Sequence, residues 1–474
     1  MSSSQFARVF LAVFLIVASA RAAPLDQQFE KMTSEGGARF ALWGIYAAEA
    51  ESGKVLADIN GQRLFVPASN RKLVTAALAT GRFKAETRFF TELRCDGLDS
   101  SGASRGNVVL YPSGDPTWMA QLGGGRPGES MLREIARKAR EAGLQRVAGD
   151  LVIRTGRFEE PSPIPPGWRW DDLDASYAGR PAVLAINEGL AAVRITPAGV
   201  GRAPSVVAPE SAFEILNQAT TGGAGSASTL RLVRSLEGRT VTVLGAIPAG
   251  SQPAIRSLPM GNPVEHAAAV LAEAFKSAGI TIDGTVRLLA EAPRGVTVLA
   301  TVEGATATEA LTFCMESSNN FAAESLYLLA GADRFGAASY RASYRLEDEF
   351  WKSIGVDPRE VSASDGSGLS RENAITPNAL VQLLRARRDT EWFVASLPVS
   401  GVSGTLRYRL SDDGMARRVR AKTGTLDGAS ALSGYVSASG GKTIVFSIMA
   451  NNYTGSANAI RARIDEMVKA LAAR

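Results

Sequence analysis

A serine and a lysine stand three residues apart at Ser69-Asn70-Arg71-Lys72, directly before the apolar run Leu73-Val74-Thr75-Ala76-Ala77-Leu78-Ala79. No other stretch constrains the chain as much. Helical residues at i and i+3 share a face, so a helix opening here brings Ser69 Oγ and Lys72 Nζ together. Pro67 suits the start of such a helix, and the alanine-rich run sustains it. A helix N-terminus also favours developing negative charge. A free serine hydroxyl is a poor nucleophile until something takes its proton. The chain has one histidine, His266, so a neutral lysine is the available base. The reference lysine pKa is ~10.4, and burial or a second nearby cation lowers it. A Ser-Lys pair therefore predicts another positive group in the same site. The bland alternative is a capping serine beside a solvated lysine, and the spacing alone does not separate the two.

The rest of the chain sets bounds on that reading. With 474 residues, two or three domains are expected. A charged content of 21% and a hydrophobic content of 45% place them among soluble globular folds. Residues 1–22 read as a secretory signal peptide: Arg8 precedes the apolar run Val9 to Ala20, and Ala20-Arg21-Ala22 fits a cleavage site. That run has 12 residues, too few to span a bilayer. No other stretch approaches transmembrane length, so the mature chain is expected to be exported without a membrane anchor, in the periplasm or beyond it. Loss of Arg8 and Arg21 lowers the formal charge from +5 to +3, too slight to imply nucleic acid. Cys95 and Cys314 are either a long-range disulfide or two buried thiols. No Cys/His cluster suits a metal; neither metal nor cofactor is expected.

Taken in order, Phe40 to Tyr46 reads as a buried strand that turns at Glu51-Ser52-Gly53-Lys54 into Val55-Leu56-Ala57. From about Cys95 the texture becomes turn-rich α/β, with an amphipathic helix over Glu129 to Ala142 and a strand at Gly149 to Ile153. Residues 186–255 read as mostly β. A helix starts at Asn262-Pro263 and ends by Gly279. Strands at Leu432 to Val436 and Thr443 to Ala450 precede a last amphipathic helix carrying Ile460, Ile464, Met467, Val468 and Leu471. The two ends of the chain are expected to complete one sheet-and-helix domain, residues 23–93 and 256–474. The middle is then a two-part insertion, α/β over 94–185 and mostly β over 186–255.

Two later stretches decide the meaning of the first. Ser318-Asn319-Asn320 supplies Ser-x-Asn, and Lys422-Thr423-Gly424 supplies Lys-Thr-Gly. Ser-x-x-Lys, a Ser-x-Asn triplet and Lys-Thr-Gly, in that order, are the signature of serine β-lactamases and penicillin-binding proteins. Over nearly all its mature length the chain resembles the penicillin-binding D-Ala-D-Ala carboxypeptidases and endopeptidases of low-mass class C. Gly114-Asp115-Pro116-Thr117, Pro166 to Asp172, Asp365 to Arg371 with Thr376-Pro377, and Leu397 to Gly401 also carry the resemblance. Ser318 lies 249 positions after Ser69, a gap that the family's long insertion explains.

The resemblance implies a penicilloyl-serine transferase or β-lactamase-like α+β domain, an antiparallel sheet flanked by helices. It implies attack by Ser69 on the bond between two D-alanines of peptidoglycan stem peptides or cross-links, with Lys72 as base. Ser318 relays the proton, Asn320 holds Lys72 and the substrate, and Lys422 is the second cation. Thr423, Gly424 and Thr425 bind the substrate carboxylate, and the backbone N–H groups of Ser69 and Thr425 form the oxyanion site. β-Lactams are the expected covalent inhibitors. Two residues depart from the family pattern: Asn319 stands where Asp is frequent, and Arg154 stands where some relatives carry an acid. The rivals are a β-lactamase, a D-amino-acid peptidase or esterase on the same fold, or a non-catalytic wall-binding protein. A class A β-lactamase needs a deacylating glutamate. Glu214 to Asn217 is one residue short of that pattern and reads as an ordinary helix.

Overall fold

Apolar runs from the two ends of the chain pair with each other. In the computed structural model, which describes residues 24–119, 128–159, 163–235, 238–292, 295–412 and 414–474, β1 (Leu42–Glu49) lies between β2 (Val55–Ile59) and β5 (Thr443–Asn451). The signal-peptide reading at 1–22 falls outside these residues. β4 (Ala429–Ser437) and β3 (Val419–Leu426) extend the sheet, giving the order β2-β1-β5-β4-β3, antiparallel throughout. β4 and β5 are buried on both faces, which explains why their residues are mostly apolar or small.

One face of the sheet packs Tyr435, Val445 and Met449 against Leu73 and Val74 of α1 (Lys72–Arg82) and Leu380 and Val381 of α5 (Pro377–Arg387). The other packs Phe446 and Ile448 against Ile464 and Met467 of α6 (Ala457–Ala472), as the amphipathic pattern requires. The edge strand β3 borders the site. Between α1 and the sheet's return lie α2 (Ala307–Glu316), α3 (Asn320–Phe335) and α4 (Tyr340–Ser353).

A second five-stranded sheet is mixed, in the order 286–289, 151–154, 108–111, 88–95, 297–306. The helix Gly128–Glu141 packs on its last strand and on the helix Pro263–Ser277, whose N-cap is Asn262. Residues 190–260 form small sheets around a separate core of Val193, Ile195, Phe213, Val241 and Val243.

The expected boundary at 93/94 falls inside a strand of the second sheet, and that at 255/256 falls inside Ala254–Pro259, a strand paired with Leu190–Thr196. Arg88–Cys95 and Thr297–Thr306 both belong to the second sheet. Pairing between strands far apart in sequence leaves no mark on local composition; the change of texture at Cys95 marks the end of that sheet's first strand. Glu214–Asn217 is a strand paired in parallel with Thr240 to Val243, not a helix. Its two central apolar residues suit a sheet as well as a helix, and the pairing decides. Cys95 and Cys314 are free and buried.

Candidate active site

Ser69 occupies a single 3-10 turn, Ala68–Arg71, and α1 begins only at Lys72. Ser69 Oγ and Lys72 Nζ are 3.0 Å apart, as the spacing predicts. The turn is forced into position. Ala68 has φ 48°, a left-handed conformation disfavoured for a residue with a Cβ. On one side, a Cβ on Gly368 would strike the Ala68 carbonyl. On the other, a Cβ on Gly424 would sit 2.6 Å from the Pro67 carbonyl and 3.2 Å from the amide nitrogens of Ser69 and Asn70. Only glycine lets β3 approach the serine this closely.

Lys72 is wholly buried and donates to Asn320 Oδ1 at 2.7 Å and to the Ser367 carbonyl at 2.7 Å. Lys422 is also wholly buried and donates to Ser318 Oγ at 2.9 Å and to the Thr423 carbonyl at 3.0 Å. Burial holds Lys72 down at about 8, opposed in part by Cys314, Asp365 and Glu324. Burial, joined by the charge of Lys72, holds Lys422 well below the ordinary lysine value. Lys422, the second basic residue foreseen from the sequence, lies in the same site, but burial alone lowers Lys72, and for Lys422 the charge of Lys72 comes second to burial. No hydrogen bond joins Ser318 to Lys72 among the described residues.

Ser318 has φ 56°, a second strained residue at the site. Asn319 caps α3 by accepting from the Ala322 amide at 2.8 Å, and its own amide donates to Glu188 at 2.8 Å. Asn320 donates to the Tyr177 carbonyl at 3.0 Å, which fixes its oxygen toward Lys72. Thr423 Oγ1 donates to Thr405 at 2.7 Å, and Thr425 Oγ1 accepts from Arg461 at 3.0 Å. Trp168 is buried, with its indole N–H on Asp365 at 2.9 Å; Trp170 is exposed. Arg154 pairs with Glu291 at 3.0 Å on the second sheet, so its charge is partly answered.

Sequence reasoning overlooked Arg71, Glu324 and the backbone of Asp365-Gly366-Ser367 as parts of this site. The clustering of Asp, Gly and Ser at 365–370 was the available signal, because such residues make tight turns with inward-facing amides.

This arrangement brings all three sequence motifs to one buried pocket. The D-alanyl-D-alanine carboxypeptidase of Actinomadura sp. strain R39 is 32% identical over 92% of this chain and 83% of its own length. D-alanyl-D-alanine carboxypeptidase DacB of Haemophilus influenzae is 26% identical over 87% and 85%. The crystal structure of penicillin binding protein 4 from H. influenzae, also solved with a β-lactam bound, superposes with TM-score 0.81 at 24% identity, over 94% of this chain and 98% of that one. The sequence profile of one family spans residues 25–474, and with it the chain belongs to the D-Ala-D-Ala carboxypeptidase 3 (S13) family.

Proposed function

We propose that this enzyme releases D-alanine from peptidoglycan stem peptides, and cleaves cross-links of the same chemistry, through an acyl-enzyme at Ser69. The observation that carries the reading is the 3.0 Å contact between Ser69 Oγ and a lysine that burial keeps poised near neutrality. The Ser69 proton passes to Lys72 as Ser69 Oγ bonds to the carbonyl carbon of the penultimate D-alanine. The oxyanion forms between the N–H groups of Ser69 and Thr425. Ser318, held by Lys422, relays the proton that Lys72 has taken up to the leaving amine, which leaves Lys72 uncharged again; water then attacks the acyl carbon, its proton passing by way of Lys72 to Ser69 Oγ as the acid departs. Arrival of the substrate carboxylate supplies the counter-charge that the Lys422 ammonium lacks. Asn320 holds Lys72, and Thr423, Gly424 and Thr425 line the carboxylate site. β-Lactams present the same carbonyl and carboxylate, and we expect them to acylate Ser69 and leave slowly.

We place the enzyme outside the cytoplasm, with residues 1–22 as its signal. We assign residues 84–306 to the insertion and the remainder of the mature chain to the peptidase unit; the sheet memberships support this division.

Mass spectrometry of purified muropeptides tests the reading. Pentapeptides should lose their terminal alanine, and dimers should separate if cross-links are also cut. Unchanged muropeptides, from protein that still captures penicillin, would overturn the substrate assignment.

The pH dependence follows with a definite sign. Attack needs the uncharged amine, and its fraction falls about tenfold per pH unit below the Lys72 value of about 8. Penicillin capture should therefore slow roughly tenfold between pH 7 and pH 6. A rate that stays level across that interval rules out Lys72 as the base.

A further inference from the structure

Lys72 Nζ has three oxygen neighbours, and they are not equivalent. Asn320 Oδ1 and the Ser367 carbonyl, both at 2.7 Å, can only accept. Ser69 Oγ, at 3.0 Å, can donate. An uncharged amine has two hydrogens and one lone pair. The two pure acceptors take both hydrogens, which leaves the lone pair facing the Ser69 hydroxyl. The Ser367 carbonyl is thus half of the device that aims the base.

That carbonyl belongs to a turn held by buried carboxylates. Glu324 Oε1 accepts from the Ser367 amide at 2.7 Å and the Gly366 amide at 3.1 Å. Glu324 Oε2 accepts from Gly366 at 3.0 Å and from the Tyr340 hydroxyl at 3.0 Å. Asp365 holds the other half of the turn, accepting from the amides of Gly368 and Ser370 at 2.7 Å each. Glu324 is fully buried and has no contact with solvent that would explain an acid there. It stands one helical turn after Asn320 on α3, so one helix face supplies both groups that orient Lys72.

We propose that Glu324 is a positioning residue: its carboxylate grips the backbone of Gly366 and Ser367 so that the Ser367 carbonyl takes one Lys72 hydrogen and the lone pair points at Ser69. The inference rests on Ser69 and Lys72 being nucleophile and base. In the step itself, the Ser69 hydroxyl proton moves to that lone pair and Ser69 Oγ bonds to the substrate carbonyl carbon. The ammonium so formed keeps its bonds to Asn320 and Ser367.

The charge of Glu324 gives the role a signature. Glu324 raises the Lys72 pKa, together with Cys314 and Asp365; the other lysine of the site, Lys422, is itself held well below the ordinary lysine value by burial and by the charge of Lys72. Around Glu324 itself stand Asp365, Tyr340 and Tyr344. Burial and Asp365 lift Glu324 to about 7, while its bonds from the Ser367 and Gly366 amides favour the carboxylate.

The test is the rate of Ser69 acylation by penicillin against pH, for the full-length wild type, Glu324→Gln and Glu324→Asp. Glu324→Gln turns a hydrogen-bond donor toward the backbone amides and removes the charge. Its plateau should fall about 10- to 100-fold, because a misplacement near 1 Å carries such a factor. Its acid limb should move to lower pH. Glu324→Asp keeps the charge but falls short of Ser367: the plateau should fall while the limb stays. Should the Gln variant not fold, the Asp variant decides alone. A folded variant with plateau within twofold of wild type and limb unmoved overturns the proposal. Wild type that carries no penicillin on Ser69 would instead defeat the reading of the site itself, a distinct outcome.

Discussion

Ser69→Ala loses D-alanine release and covalent penicillin capture together, with turnover down by a factor on the order of 10^4 or more, the scale of removing a nucleophile that acts as one unit with its base. Among the described residues no other hydroxyl is hydrogen-bonded to Lys72. Ser318 is bonded to Lys422 and, among the described residues, has no hydrogen bond to Lys72. Substrate affinity should change little, since the carboxylate site we propose on β3 is untouched by the loss of one hydroxyl. The pocket should also keep its shape: Ser69 lies in a turn clamped by Gly368 and Gly424, and alanine fits the same backbone. Intact-protein mass spectrometry after exposure to penicillin gives the readout. An adduct of unchanged stoichiometry on the alanine variant would move the nucleophile elsewhere in the pocket. Lys72→Met should be nearly as severe, and the double variant no worse than either single one, because neither group works without the other.

The parts of the molecule legible in the sequence are those written as local patterns. Helical spacing put Ser69 beside Lys72, an apolar run marked β1 as a buried strand, and Leu432 to Val436 and Thr443 to Ala450 were legible as strands, now β4 and β5. The order of three short motifs is enough to expect Ser318, Asn320 and Lys422 in one site with Ser69 and Lys72, where the structure places them. Illegible parts depend on backbone atoms or on distant pairing. The Ser367 carbonyl orients Lys72, yet a carbonyl is common to every residue and carries no sequence mark. Ala68 and Ser318 adopt positive φ without the glycine that normally advertises it. Arg88–Cys95 joins a strand some two hundred residues later, so the insertion begins earlier than its composition suggests. Arginine is rarely buried, so nothing in the sequence marks Arg71 as an interior residue; it is 1% exposed.

That burial leads to the largest expected effect on stability. Arg71→Met should destabilise the peptidase unit by about 3–5 kcal/mol, the usual consequence of leaving one half of a buried ion pair uncompensated. The Arg71 guanidinium makes a two-pronged bond to Glu347, with Nη1 to Oε1 at 2.6 Å and Nη2 to Oε2. Tyr327 and Trp351 also donate to Glu347, at 2.8 Å and 3.0 Å. Glu347 is 2% exposed, so no water replaces the missing cation. The pairing holds Arg71 in its charged form, with its pKa raised by Glu347 against the effect of burial. On a peptidase unit of ordinary domain size the loss should lower the melting temperature by roughly 10 °C. Arg71→Met with Glu347→Leu removes both charges and should recover much of that loss, because well-packed apolar groups often match a buried pair. It should not recover activity. Arg71 Nε also holds the Asp365 carbonyl at 2.8 Å, beside the turn that presents Ser367 to Lys72, and no apolar side chain replaces that bond. Stability and acylation rate therefore separate in the double variant: the melting temperature returns toward wild type while penicillin capture stays slow. A single variant that melts within 2–3 °C of wild type, about 1 kcal/mol, would show that the pair contributes little. A double variant with restored capture would show that the Asp365 contact is dispensable.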